Sequence, residues 1–263
     1  MRFTVTSSSV TNNSQAATRS AAKSPLAAVF DCDGLLVDSA RCWERAYATV
    51  AAAHGRCLDD VQLDRLPGAS VARAALLLSA DLGAPIGTAE LGAALRDSFA
   101  ADPPEPLPGA RALIAELAGL MPLGVASNGP LAIVAGVLDR LDLLGAFSAV
   151  VSAEETARDK PDPDVYLEAC RRLAVAPRDA VAFEDSELGA RAARSAGLFV
   201  VVVPSAPGPP IEADLTVPCL GDVRLRALLG TAPLPGSGPD RVAPGAAPVG
   251  VDDGHAAEAA AEV

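Results

Sequence analysis

The chain is 263 residues long, 50% hydrophobic, 21% charged and only 3% aromatic, with a formal net charge of −12 at pH 7. That length suits one large or two small domains, and a core this poor in aromatic residues must be built from Ala, Val and Leu. No apolar stretch reaches the roughly 18–20 residues of a membrane-spanning helix and no basic stripe marks a nucleic-acid face, so neither a membrane nor nucleic acid is expected as a partner.

Residues 1–25 are rich in Ser and Thr, contain no acid and lack the hydrophobic run of a signal peptide, so they read as a disordered extension. A first strand is expected over 26–33 (LAAVFDCD), an apolar run that ends abruptly in acids and Gly34. Trp43, Ala46, Tyr47 and Val50 then recur at i, i+3, i+4 and i+7, the stripe of an amphipathic helix. Further helices are expected over Val71–Leu82 and 88–100, and no strand pattern interrupts 39–101. Pro103, Pro104, Pro106 and Pro108 close this helical block and stiffen the connection.

Beyond the prolines the pattern alternates. A helix at 110–120 precedes a strand at Leu123–Ser127, and a helix from Pro130 carries Leu131, Val134, Leu138 and Leu141 on one face. A strand at 146–152 leads to a helix with Asp162 as N-cap and Pro163 in its first turn, bearing Tyr166, Cys170 and Leu173. Then come a strand at 180–183, a helix at Glu187–Ala196 stopped by Gly197, a strand at 198–203 and a last strand at 214–217. From residue 231 to 263 the chain is dominated by Pro, Gly and Ala and reads as a disordered tail.

Short, evenly apolar strands alternating with helices require a parallel sheet covered on both faces, an α/β fold. Sites in such sheets form at the carboxyl ends of strands. Four such positions carry polar groups: Asp31-Cys32-Asp33-Gly34, Ser127-Asn128-Gly129, Arg158-Asp159-Lys160-Pro161 and Glu184-Asp185-Ser186. Each alone has an ordinary reading as a turn, a helix cap or a surface charge. The first is not a calcium loop of the EF-hand kind, because Leu36 stands where that loop needs glycine. Their common placement after strands changes the reading. Several acids converging with one lysine need a divalent cation, and hard oxygen ligands favour Mg²⁺. With it, the set supplies what phosphoryl transfer needs: an anionic nucleophile, a cation and backbone N–H donors for the phosphate oxygens. Two histidines, His54 and His255, leave little material for a His-based metal site or a Ser-His-Asp triad. Five cysteines with no C-x-x-C pair read as free thiols in a reducing cytoplasm.

The pieces FDCDGLLVDS (30–39), ASNGP (126–130), DKPDPDVYLEA (159–169) and FEDSELGARAARSAG (183–197), in this order, resemble the haloacid dehalogenase-like (HAD) superfamily, in its branch with a small helical cap after the first strand. The resemblance implies a Rossmann-like three-layer core at 26–38 and 103–230, with an all-helical cap at 39–102 closing over the site. It implies Asp31 as the nucleophile that forms an aspartyl-phosphate, and Asp33 as the acid that protonates the leaving alcohol and then activates water. Ser127, Asn128 and Lys160 would bind the phosphoryl group. Mg²⁺ would be held by Asp31, the backbone carbonyl of Asp33 and Asp185, with Glu184 as a further ligand or as support behind them. Asp33 argues against carbon–halogen cleavage, where the leaving halide needs no acid.

The expected activity is therefore a Mg²⁺-dependent phosphatase, a phosphoric monoester hydrolase, acting on a small sugar, polyol or sugar-acid phosphate. The alternative is a sugar-phosphate mutase of the β-phosphoglucomutase kind. Such mutases carry an arginine directly after the G-x-S of the cap loop, where this chain has Val71 and no arginine before Arg73. A third reading is a non-catalytic binding protein on the same fold, against which the intact Asp31, Asp33, Lys160 and Asp185 set argues. Trp43 reads as helix packing, Arg41 and Arg45 as surface charges, and the protein as cytoplasmic, with the oligomeric state left open and a monomer favoured.

Overall fold

A computed structural model of the chain describes residues 24–205 and 208–231. The extension and tail expected at the two ends lie outside the described residues, apart from their innermost positions. Six strands form one parallel sheet: β1 (Ala27–Phe30), β2 (Leu123–Ser127), β3 (Ala149–Ser152), β4 (Ala180–Glu184), β5 (Phe199–Val202) and β6 (Leu215–Thr216). Their spatial order is β3-β2-β1-β4-β5-β6. The chain builds outward from β1 to one edge, then returns to lay β4 on the other side of β1. Direction thus reverses between β1 and β4, and a crevice opens at the carboxyl ends of such a pair.

Alternation along the strands serves two apolar layers. Ala28 and Phe30 join Val125, Val181, Phe183 and Val201 on one face. This face is covered by α5 (Ala110–Ala118), α6 (Leu131–Arg140) and α9 (Val223–Leu229). Ala27 and Val29 join Ala126, Val151, Ala182 and Val200 on the other, under α7 (Asp164–Arg172) and α8 (Glu187–Ala196). Phe30 stacks on Phe183 with ring centroids 4.6 Å apart and meets Phe147 edge-on at 6.2 Å. Three of the six phenylalanines thereby fill the space under the strand ends, while the opposite face closes with Ala190, Ala192 and Ala193.

Between β1 and α5 lies a helical insertion of α1 (Ala40–Ala53), α2 (Asp60–Leu63), α3 (Val71–Leu82) and α4 (Thr88–Ala101). Its two connections run side by side. The Asp38 N–H donates to the Glu105 carbonyl and the Leu107 N–H to the Leu36 carbonyl, both at 2.9 Å, around an antiparallel bridge between Val37 and Pro106. The insertion therefore leaves and rejoins the core at one place. Arg45, read from sequence as a surface charge, instead ties α1 to the end of α4, through Ser98 Oγ at 3.1 Å and Asp102.

Several boundaries differ from the sequence expectation. β1 stops at Phe30, because beyond the Asp31 N–H (3.0 Å to the Phe183 carbonyl) the chain turns back and Leu36 and Val37 both donate to the Cys32 carbonyl. β3 begins at Ala149, since Leu144–Ala146 wind into a 3₁₀ turn. In α7, Pro163 itself occupies the N-cap and no side chain caps the helix. Two helices escaped the sequence reading. α2 is a single turn, too short for periodicity, held by a reciprocal capping box of Asp59 and Gln62. α9 is capped by Asp222, whose side chain accepts from the Arg224 N–H. Among the described residues no helix is long and apolar enough to cross a membrane.

Candidate active site

Lys160 lies at the centre of the strand ends. Its ammonium, only 3% exposed, donates to Asp31 Oδ1 at 2.7 Å and to Glu184 Oε1 at 2.6 Å, and stands 5.1 Å from the Tyr166 ring centroid. Burial alone would push the lysine toward its neutral form, but the two carboxylates prevail and raise its pKa.

Glu184, at the end of β4, is fully buried and accepts hydrogen bonds on both oxygens. Oε1 receives Lys160 and the Tyr166 hydroxyl (2.5 Å), and Oε2 receives the Asp185 N–H, the Ser186 N–H and the Ser186 hydroxyl at 3.1–3.4 Å. Five donors saturate the roughly four lone-pair sites of a carboxylate. The N-terminus of α8, where peptide dipoles favour an anion, holds it there. The fit is possible because residue 189 is glycine: a Cβ on Gly189 would stand 1.8 Å from Glu184 Oε1.

Asp185 is different. Its Oδ1 is buried without a hydrogen-bond partner. Burial, reinforced by the charge of Glu184, raises its pKa to about 7. Gly34 lies against it with φ +80°, and a Cβ there would meet Asp185 Oδ2 at 2.2 Å. Asp31, 7% exposed, has its pKa raised by burial, which outweighs the opposing pull of Lys160, with Glu184, Asp185 and Asp33 adding to the rise. One oxygen from each of Asp31, Glu184 and Asp185 lies within 4.8 Å of the others. An unpartnered buried oxygen among hard ligands, beside two carboxyls whose pKa burial raises, is a donor set that fits Mg²⁺.

Asp33 faces the helical insertion. Its Oδ1 accepts from the Ser39 hydroxyl at 2.6 Å and the Trp43 indole N–H at 3.1 Å, while Oδ2 is 3.5 Å from Ser127 Oγ. Trp43 is therefore more than a packing residue: α1 brings its indole nitrogen onto an acid of the site. Ser127, at the end of β2, is buried and accepts from the Gly129 N–H at 2.9 Å. Asn128 lines the same cavity, but its amide is engaged. Nδ2 donates to the Gly68 carbonyl of the insertion at 2.7 Å, and Oδ1 accepts from the Lys160 N–H at 3.0 Å. Ser70 donates to Asp159, a second tie between the insertion and the strand-end loops.

Around these groups is a cavity of about 600 Å³, floored by Asp31, Ser127, Lys160 and Asp185 and roofed by Trp43, Tyr47 and the 66–69 loop. The arrangement sets a buried carboxylate beside a fixed ammonium, a cluster of three acids whose oxygens could hold a cation, and a further carboxylate, Asp33, against the helical insertion. Six of the seven expected site residues, Asp31, Asp33, Ser127, Asn128, Lys160 and Asp185, line this cavity, while the seventh, Glu184, lies directly behind it. Sequence reasoning missed Tyr166 and Ser39 as polar partners, and Gly189. A tyrosine on a buried helix face carries a signal of its own, because its hydroxyl needs a partner.

A family model of haloacid dehalogenase-like hydrolases matches residues 26–197. The chain belongs to that family. Among its relatives, hexitol phosphatase B of Escherichia coli (strain K12) is 34% identical over 224 residues, covering 78% of this chain and 97% of that protein. The β-phosphoglucomutase of Bacillus subtilis (strain 168) is 38% identical over 130 residues, covering 48% of this chain and 55% of that enzyme. Among solved structures, CbbY from Rhodobacter sphaeroides in complex with phosphate superposes with a TM-score of 0.66 at 28% identity, over 74% of this chain and 95% of CbbY. Family and relatives together make the protein an HAD-like phosphatase, with the parallel core and helical insertion of that fold.

Proposed function

We propose that this HAD-like phosphatase hydrolyses a small sugar or polyol monophosphate, with Mg²⁺ and through a phosphoenzyme on Asp31. The observation that carries the reading is the buried Asp31–Lys160–Glu184 chain beside the unpartnered oxygen of Asp185. Phosphate monoesters are so inert that enzymes on them reach accelerations of up to roughly 10²¹, and a fixed carboxylate beside fixed positive charge addresses that barrier. The similarity to a hexitol phosphatase over most of both chains supports the substrate class.

Asp31 attacks phosphorus through a carboxylate oxygen as the bond to the leaving alcohol breaks. Asp33 gives that alcohol its proton. Asp33 then takes a proton from water, the water oxygen bonds to phosphorus, and the acyl-phosphate bond breaks to return the Asp31 carboxylate and inorganic phosphate. Lys160 holds Asp31 in line and, with Ser127 and the backbone N–H groups after β2, receives the phosphoryl oxygens. Asn128 helps by fixing the Lys160 backbone and the Gly68 loop. Asp31, the Asp33 carbonyl and Asp185 would hold Mg²⁺, with Glu184 bracing the lysine behind them; the ion supplies charge neutralisation on the phosphoryl oxygens. Residues 39–102 act as a lid on the paired connections, bringing Ser39 and Trp43 onto Asp33 when closed and excluding water.

The mutase alternative needs an anchor for a second phosphate. Val71 opens α3 where those enzymes carry arginine, and Arg73 is not among the residues lining the cavity. The test is phosphate release from sugar and polyol phosphates with Mg²⁺ and with EDTA, and β-glucose 1-phosphate followed for its 6-phosphate isomer. Metal-dependent phosphate release is the expected result; isomerisation with little free phosphate would make the protein a mutase.

A further inference from the structure

The cavity is charged in a lopsided way. Among the described residues that line it, Lys160 is the only cation, and there is neither arginine nor histidine. Lys160 lies at the floor, bonded to Asp31 and Glu184, where the transferring phosphoryl group goes. Away from the floor, the lining contributes four more carboxylates: Asp38 and Glu44 near the start of α1, Asp64 after α2, and Glu187 at the start of α8. None of these four is held in an ion pair by a described residue. The remaining wall is apolar, from Trp43, Leu63, Leu107 and Leu188. A Mg²⁺ ion on Asp31 and Asp185 would be consumed at the floor by the phosphoryl group itself. The part of the cavity left for the rest of the substrate then has uncompensated negative charge and, among the described residues that line it, no cationic side chain to balance a second anion.

We infer that the site selects against any second anionic group on the substrate. It takes monophosphates whose organic part is neutral and hydroxylated, with C–H faces against the indole and leucines, and hydroxyls donating to the roof carboxylates. Bisphosphates and phosphorylated carboxylic acids are rejected. This rests on the phosphatase reading and narrows it, removing sugar-acid phosphates from the expected range. Like-charge juxtaposition in a partly desolvated site is an effective way to reject a competitor, because it acts whether or not the competitor fits sterically.

Matched substrates isolate the charge. Sorbitol 6-phosphate and glucose 6-phosphate share a skeleton with 6-phosphogluconate, and fructose 6-phosphate differs from fructose 1,6-bisphosphate by one phosphate. The expected result with the Mg²⁺-loaded protein is kcat/KM at least ~30-fold higher for the neutral member of each pair. That ratio should shrink as salt is raised and should fall about tenfold in an E44K/D64K double variant, whose changes lie on the exposed roof. Ratios within threefold in the wild type, or unchanged by charge reversal, would overturn the inference. Absent turnover of every compound, p-nitrophenyl phosphate included, would sink the phosphatase reading instead. Calorimetric Kd values of the same pairs on the Mg²⁺-loaded Asp31→Asn variant then decide the charge inference separately: equal affinities overturn it, and tighter binding of the neutral members supports it.

Discussion

At the floor of the cavity most charged groups are already answered. Lys160 bridges Asp31 and Glu184, Tyr166 and the start of α8 finish the Glu184 carboxylate, and Asp185 Oδ1 is left without a hydrogen-bond partner among the described residues. At the roof, Glu44 and Asp64 are exposed and in no ion pair among the described residues, beside an indole whose N–H reaches down to Asp33. The floor is buried, so every uncompensated group there is expensive and its residues have few substitutes. The roof carboxylates Glu44 and Asp64 are solvated, so these two residues can vary without unfolding the protein. Chemistry common to a family belongs on the first surface and discrimination between substrates on the second.

Substitutions at the floor should depress every substrate alike. Asp31→Asn is expected to lower phosphate release on the order of 10⁴-fold or more with an unchanged circular dichroism spectrum. Retained turnover would remove the nucleophile from the mechanism. Lys160→Met leaves Asp31 and Glu184 buried without their cation, and should cost ~3–5 kcal/mol in denaturant unfolding. A loss below about 1 kcal/mol would mean that the ion triad is solvated rather than buried.

The floor also has a pH signature. The folded, metal-free protein retains a proton on Asp185 up to about pH 7, whereas an unfolded aspartate releases it near pH 4. Within that window the folded state binds more protons, so stability falls as pH rises. Glu168, lowered to about 2 by Arg171 and Arg172, acts the other way, but its contribution is complete by about pH 5. EDTA-treated protein should therefore melt at a lower temperature at pH 7.5 than at pH 5, and Mg²⁺ should raise the melting temperature more at pH 7.5. An Asp185→Asn variant should show a weaker slope; an unchanged slope would assign it to other groups.

The roof should show selective and smaller effects. Trp43→Phe removes one of two donors on Asp33 Oδ1 and keeps the apolar wall. It should slow alkyl phosphates roughly tenfold and an activated aryl phosphate less, because only the poor leaving group depends on a well-placed acid. Equal losses on both would make Trp43 a packing residue after all. Trp43 is the single tryptophan of the chain, so its fluorescence also reports the approach of α1 to Asp33.

Periodicity and turn chemistry are local, and they sufficed for the α/β class, for helices such as Val71–Leu82 and Glu187–Ala196, and for the residues at the four strand ends. They were weakest where a segment is a single turn, as in α2, or where ladder pairing decides a boundary, as at the end of β1. Asp31, Lys160 and Asp185 were legible because their residue types follow strands in a fixed order. The partner of each group was not. Lys160 and Asp31 are 129 positions apart, Asn128 finds Gly68 sixty positions away, and Ser39 and Trp43 meet Asp33 only because α1 folds back over the crevice. By itself, then, the sequence determined which chemical groups this protein has and on which strands they end. Only the tertiary structure decided which carboxylate is saturated, which keeps an unpartnered oxygen, and that among the described residues lining the space above them there is no second cationic side chain, because burial and hydrogen bonding are properties of neighbours that the chain brings together from afar.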